Sequence, residues 1–399
     1  MSTLVTSSGF SATAETEEAV REAVALALHG LGENKPALCL LAATVDHDAQ
    51  KVQTAVQKLL PSVPVHGATT SLGVLTPQGV VMGPGGGVGV MLYSGSDELA
   101  FAAGASDFAK GAHAAGAHAA KELLSHGPSG KKPVMVFIAA TPGQEEQVLA
   151  GIHEVLPGVP VFGGSAADHA ILGEWSIFTS DGIKKEGVSL AGFWGDMPIG
   201  ASIEGPYEAT DKHAVVTGAK GRSVTTMDGK RATDVLQSWV GDAIADQVRE
   251  GGNLLVQTAL SPVGIARGKE GEKPFYLLLH PAQAHTEGNI DLFAEAPEGT
   301  TLCLMSGSGD TLVGIVDRLV DNCLADANLK PEDVKNAFLI YCAGCAGAIG
   351  GRIEEVLSRL NTRLPSVPLL GFCTFGEQGF VPNVGNVHTN LSVALVVQG

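Results

Sequence analysis

Three continuous apolar runs, residues 38–43, 134–140 and 338–342, lack the alternation of a half-exposed strand and predict strands buried on both faces. Downstream of each lies one apolar stripe at i, i+4, i+8: Val52, Val56 and Leu60; Val148, Ile152 and Leu156; Val356, Leu360 and Leu364. That spacing predicts a helix with a single buried face. Every stripe runs into the phrase Pro-x-Val-Pro-x-x-Gly, at Pro61 to Gly67, Pro157 to Gly163 and Pro365 to Gly371. The second proline cannot continue a helix, so the chain turns and runs extended into Val65, Val161 or Leu369. The pattern is therefore strand, helix, strand, three times over. Further strands are expected at 87–93, 176–179, 188–194 and 387–397.

Between these units an opening helix is expected over 15–29, and a second, capped by Ser106, carries Phe108, Ala112, Ala115, Ala119 and Leu123. After Gly195, short strands lead to a helix over 232–249, a loop-prone stretch over 251–273, and strands at 275–279, 290–293 and 302–305. A helix over 310–325, with Asp310 as its N-cap, follows and suggests a degenerate further unit. The expected class is α/β with mixed α+β sheets, in repeated β-α-β-β(β) units. Two related domains are expected to pack helices against mixed sheets: a lead-in over 1–34, a domain of two repeats over 35–195, and a second domain over 196–399.

The 399 residues are 45% hydrophobic and 17% charged, which excludes disorder and supplies a large core. A formal charge of −17 opposes binding to nucleic acid or anionic membranes. No run reaches membrane-spanning length and the first residues carry no signal-like pattern, so six cysteines read as reduced cytosolic thiols.

Candidate chemistry gathers after each repeat glycine: Thr69 and Thr70; Gly163, Ser165 and Asp168, with His169 beside them; Cys373, Thr374, Gly376 and Glu377. Strand ends carrying glycine and hydroxyls let a ligand approach backbone N–H groups, although the same residues also make tight, capped turns. Cys342 and Cys345 form a Cys-x-x-Cys at a strand end, able in principle to do redox or soft-metal chemistry, but nothing basic adjoins them to generate a thiolate. His388 and Asn390 are candidates for ligand hydrogen bonds. No His-Glu-x-x-His, Walker lysine or Gly-x-Ser-x-Gly occurs, so no metal, cofactor or nucleophilic enzyme is expected.

The C-terminal repeat, Leu369-Leu-Gly-Phe-Cys-Thr-Phe-Gly-Glu377 followed by Asn386-Val-His388-Thr-Asn390, resembles the FIST family, as do Tyr341 to Cys345 and Pro297 to Thr300. Residues Met227 to Ala232 resemble the start of a FIST C domain, and the resemblance runs from about residue 35 to 397. It implies a non-enzymatic sensory module of the kind found in bacterial signal-transduction proteins and a eukaryotic F-box receptor, binding small ligands such as amino acids. Two positions depart from that pattern. Gly73 stands where the first repeat of the family tends to carry Glu, and Cys345 where an arginine follows Cys-x-Gly. Three expectations follow: a ligand sensor with a cleft formed by repeat loops, a protein-interaction scaffold or adaptor, or a thiol-dependent redox protein. With no kinase, cyclase or receiver segment recognisable, a signal is expected to pass to another chain.

Overall fold

The computed structural model describes residues 4–96, 98–269, 271 and 273–399. Its first unit is β1 (Val5–Ser11), α1 (Thr16–Leu31), β2 (Pro36–Ala43), α2 (Ala49–Leu59), β3 (Val65–Thr69), β4 (Val74–Thr76), β5 (Gly79–Val81) and β6 (Val88–Ser94). The second repeats it as β7 (Ala100–Asp107), α3 (Ala112–His126), β8 (Met135–Ala140), α4 (Glu145–Val155), β9 (Val161–Ser165), β10 (Ile177–Thr179), β11 (Gly182–Lys184) and β12 (Gly187–Trp194).

The third unit opens with β13 (Ile199–Glu204) and is then interrupted by an inserted domain. The insertion runs β14 (Glu208–Lys220), β15 (Ser223–Met227), β16 (Lys230–Arg231), α5 (Ala232–Val240), α6 (Ala245–Glu250), β17 (Gly252–Asn253), α7 (Leu255–Thr258), β18 (Val263–Arg267), β19 (Phe275–Leu279), β20 (Pro281–Ala284), β21 (Ile290–Leu292) and β22 (Thr301–Ser306). The unit resumes with α8 (Gly309–Ala327), β23 (Asn336–Cys342), an extra short helix α9 (Ala343–Ile349), α10 (Ile353–Arg363), β24 (Leu369–Thr374), β25 (Glu377–Val381), β26 (Gly385–Thr389) and β27 (Val393–Gln398).

Each strand-helix-strand motif closes as a parallel pair, β2 with β3, β8 with β9 and β23 with β24. The repeat glycines Gly67, Gly163 and Gly371 face Leu41, Ile138 and Leu339 in those pairs. At Gly67 and Gly163 a Cβ would run into the backbone carbonyl of the facing residue, which is why the phrase ends in glycine.

The hairpin after each parallel pair crosses to a neighbouring sheet. β4–β5 pairs with β24, β10–β11 with β3, and β25–β26 with β9. Three six-stranded sheets of identical order result, β1-β6-β2-β3-β10-β11, β7-β12-β8-β9-β25-β26 and β13-β27-β23-β24-β4-β5, locked cyclically by exchanged hairpins. Their inner faces share one core that includes Leu40, Phe137 and Phe338, with the last two rings stacked at 4.4 Å. Their outer faces lie under helices, so the central strands are buried on both sides, as their unbroken apolar runs require. The insertion builds its own nine-stranded sheet and its own core. This is the mixed α/β class expected from the sequence.

Several local expectations change. Ser106 caps no helix: β7 pairs with β12 through Asp107, and α3 starts only after Gly111. Sheet pairing here overrides a local capping signal. The N-cap of α8 is Ser308, in a capping box with Thr311, rather than Asp310. That helix is the first helix of the third unit, the counterpart of α1 and α3, displaced from β13 by the insertion; no degenerate fourth unit is needed. The helix over 232–249 breaks at Gly241, whose φ is +88°, and the strand over 387–397 breaks at Leu391, whose φ is +50°. The stretch over 251–273 holds β17, α7 and β18, while residues 270 and 272 lie outside the described set.

Candidate functional site

The three post-glycine segments meet through one repeated hydrogen bond. Ala167 donates its N–H to Thr69 O (2.9 Å), Phe375 to Ser165 O (3.2 Å) and Ser71 to Cys373 O (3.0 Å). Donor and acceptor always come from different units, so the segments chosen from the sequence close a ring. Thr69, Thr70, Ser165, Asp168, Cys342, Cys345, Cys373, Thr374, Glu377, His388 and Asn390 are all buried. Several of these groups are committed to holding that ring. Thr70 Oγ1 accepts from Cys373 N at 2.8 Å, and Thr69 Oγ1 from Ser176 N at 3.0 Å. The Asp168 carboxylate accepts the N–H groups of Ala170, Ile171, Leu172 and Glu174 and organises that loop. His169 leaves the ring and pairs with Asp46 at 2.8 Å.

Aligning the exchanged hairpins by register separates the third from its sisters. The residue facing the repeat glycine is Leu75 in the first hairpin, Phe178 in the second and Gln378 in the third. The residue before it is Val74, Ile177 or Glu377, and the partner across the hairpin is Val80, Ile183 or His388. Two units thus fill these positions with aliphatic or aromatic side chains. The third places a carboxyl, an amide and an imidazole there. Burying such groups is costly without partners, and the fold demonstrably closes without them.

Their partners form two clusters. On the outer face of the second sheet, the Ser165 hydroxyl donates to Glu145 Oε1 (2.7 Å), and Gln378 Nε2 approaches Ser165 Oγ (3.2 Å) and His388 Nδ1 (3.1 Å). His388 Nε2 lies 3.2 Å from Phe293 O and 3.9 Å from Glu145 Oε2. Gly376 leaves room for this arrangement, because a Cβ there would sit 2.5 Å from His388 Cε1. Arg222, in the turn between β14 and β15, closes the cluster with Nη2 2.6 Å from Glu145 Oε2 and 2.5 Å from Glu146 Oε2. Burial pushes the Glu145 carboxyl up, but His388, Arg222 and the Ser165 hydroxyl together hold it below its usual range. Gln378 Oε1 is buried with no hydrogen-bond partner.

In the second cluster, Glu377 Oε1 accepts from Thr374 (2.8 Å) and Oε2 from Ser392 N (3.0 Å). Burial first, then the neighbouring Cys342, pushes the Glu377 carboxyl well above its usual range. The same burial pushes the Cys342 and Cys373 thiols up, so neither is a ready thiolate. Cys345 Sγ lies 3.5 Å from the Tyr207 hydroxyl, which donates to Ala259 O at 2.7 Å. Asn390 Oδ1 accepts from His280 N at 3.4 Å, joining the third hairpin to the insertion.

The structure therefore unites Ser165, Gly376 and His388 in one cluster and Cys342, Thr374 and Glu377 in another. Glu145, Glu146, Arg222 and Gln378 were not visible as site residues from the sequence. The signal available for Gln378 was its polar character where both sister hairpins are apolar. Arg222 lies in the turn between β14 and β15 of the insertion, outside the three repeated units, so no sister position marked it.

A family model described as the FIST N domain matches residues 37–230, and one described as the FIST C domain matches residues 232–380. No curated protein matches the sequence. Among solved structures, the cyanuric acid hydrolase from A. caulinodans is similar at 10% identity and a TM-score of 0.34, covering 98% of this chain and 99% of that one. A structure of cyanuric acid hydrolase described as an evolutionary innovation by structural concatenation is similar at 9% identity and a TM-score of 0.35, with both chains covered in full. At these scores the likeness says nothing about chemistry. Among the described residues, no helix is long and apolar enough to cross a membrane.

Proposed function

The chain belongs to the FIST family, whose domains are associated with sensory and signal-transduction proteins, and from that premise we propose that it is a non-enzymatic sensor for a small ligand. The ligand binds where α4, the third hairpin and the insertion meet, beside Glu145, Ser165, Gln378 and His388. The observation that carries this reading is the replacement of three apolar hairpin positions by Glu377, Gln378 and His388 in one unit of three. Two carboxylates face a single guanidinium there, which favours a ligand that brings a cationic group. An amino-acid-like molecule fits this charge pattern. Its ammonium takes the place of the Arg222 guanidinium between Glu145 and Glu146, and its carboxylate pairs with the released Arg222. Such exchange loosens the insertion from α4, which supplies the conformational output that a sensor needs.

Thermal melts of the full chain against a panel of amino acids, amines and their derivatives test this. A stabilising member whose effect disappears in Glu145→Gln is the expected result. A silent panel removes the reading.

The scaffold reading draws on one specific observation. The loop clamped by Asp168 presents Ile171 and Leu172 to solvent, 42% and 71% exposed, with Ile171 held at φ +57°. A rigid apolar loop of this kind suits a protein partner. Loss of a co-purifying partner in Leu172→Asp would favour that reading over ligand sensing.

A further inference from the structure

We propose that Glu145, Glu146 and His388 form a binding site for a divalent transition-metal ion, for which the Arg222 guanidinium is the resting occupant. The inference rests on this junction being the ligand site, and names a metal ion in place of an ammonium as the cation held between the two carboxylates.

One donor atom from each of the three side chains lies within 4.8 Å of the others. Three donors bonded at about 2.1 Å to one tetrahedral ion stand about 3.4 Å apart, so the site closes by bringing them together by up to about 1.4 Å. Glu145 and His388 are buried and Glu146 half-buried, on α4 and the third hairpin, which are themselves rigidly packed. The position already holds a cation, since Arg222 Nη2 contacts both carboxylates. Arg222 is 19% exposed and sits in a turn of the insertion, so it has a way out to solvent.

Gln378 supplies an independent observation. Its Oε1 is fully buried and unpartnered, while its Nε2 faces His388 Nδ1 at 3.1 Å. That orientation demands a lone pair on Nδ1 and a proton on Nε2, which points at Phe293 O. Half a turn of the amide brings Oε1 to face Nδ1. The imidazole proton then moves from Nε2 to Nδ1, with no net change in charge, and donates to Gln378 Oε1. Nε2 is left with its lone pair along the direction of Phe293 O, and a turn of the ring brings it to face Glu145 Oε2, now 3.9 Å away, in the tautomer that metal ligation requires. The amide oxygen thereby gains a partner, while Gln378 Nε2 gives up its contact with Ser165 Oγ.

One imidazole nitrogen and two carboxylate oxygens suit Zn²⁺ over Mg²⁺ or Ca²⁺. Loading removes the contacts of Arg222 with α4 and of Phe293 O with His388. It also competes for Glu146, whose Oε1 accepts from Glu295 N at 2.9 Å. Two of these contacts tie the insertion to α4 of the second unit and one ties it to the third hairpin, so metal binding and insertion release are coupled.

Calorimetric titration of the full chain with ZnCl₂ alone, in non-chelating buffer, is the test. One ion per chain is expected. Arg222→Gln, which removes the competing cation, tightens binding by at least about tenfold, and the half-buried Glu146→Gln weakens it by at least about tenfold. Circular dichroism melts confirm that both variants are folded. Failure of both wild type and Arg222→Gln to bind one Zn²⁺ overturns the proposal, as does unchanged affinity in Glu146→Gln. Stabilisation by an amino acid in the presence of EDTA, with no Zn²⁺ binding, overturns the metal site and leaves the small-ligand reading standing.

Discussion

The Ser392 backbone N–H donates to Glu377 Oε2 at 3.0 Å. In the sister units the equivalent N–H groups, of Gly87 and Gly187, donate to the hydroxyls of Thr44 and Thr141 at 3.0 and 3.1 Å. Thr44, Thr141 and Cys342 occupy one position, because their own N–H groups go to Gly87 O, Gly187 O and Ser392 O. Cysteine is a poor acceptor, and the buried Glu377 carboxyl takes over the missing contact.

That carboxyl is held well above its usual range by burial, so it stays protonated in the fold at pH values where the unfolded chain has ionised. Above about pH 4.5 the folded state then binds more protons than the unfolded one, and stability falls as pH rises toward the folded value. Glu377→Gln is expected to flatten this slope and to equal or exceed wild-type stability at neutral pH. Urea midpoints across the pH range, variant against wild type, measure it.

His66 and His280 act on the acid side. Burial drives His66 down to about 3 and His280 down to about 4, so both remain neutral in the fold while the unfolded chain protonates below 6.5. Each costs about 1.4 kcal/mol of stability per pH unit over its window, present above 6.5 and lost as pH falls. His66→Asn should reduce the acid sensitivity of the urea midpoint between pH 6.5 and 4 by about that amount per unit.

Gly376→Ala drives a methyl against the His388 ring, 2.5 Å from Cε1 and 3.4 Å from Ser165 Oγ. A loss of about 1–3 kcal/mol is expected, together with loss of any ligand- or metal-induced stabilisation. Comparing the melting shifts of variant and wild type with and without ligand separates the two effects.

Asp168→Ala removes the acceptor for four loop N–H groups. A cost on the order of 3 kcal/mol is expected, with hydrogen exchange accelerating over residues 170–174. Exchange that stays slow there would assign the order of the loop to other contacts.

The strand-helix-strand units were legible because each demand is local. The stripe at Val148, Ile152 and Leu156 specifies a helix face, Pro157 draws the preceding Leu156 out of helical conformation and ends the helix, and Gly163 is needed wherever a second backbone comes this close. The polar set after the glycines was also legible, but not the division of labour within it. Asp168 and His388 look alike as candidates in sequence, yet one spends its oxygens on its own loop and the other faces a carboxylate 243 residues upstream.

By itself, then, the chain of amino acids determined three repeated units, their buried strands and the turns that join them, because periodicity, proline and glycine act on neighbours a few residues away. Only the tertiary structure decided that each hairpin leaves its own unit for the next sheet. A two-residue side-chain period states which face of a strand is buried, and never against which sheet. That exchange carries Gln378 and His388 onto β9 and under Glu145. The insertion then delivers Arg222 to the same point, a convergence that no local rule encodes.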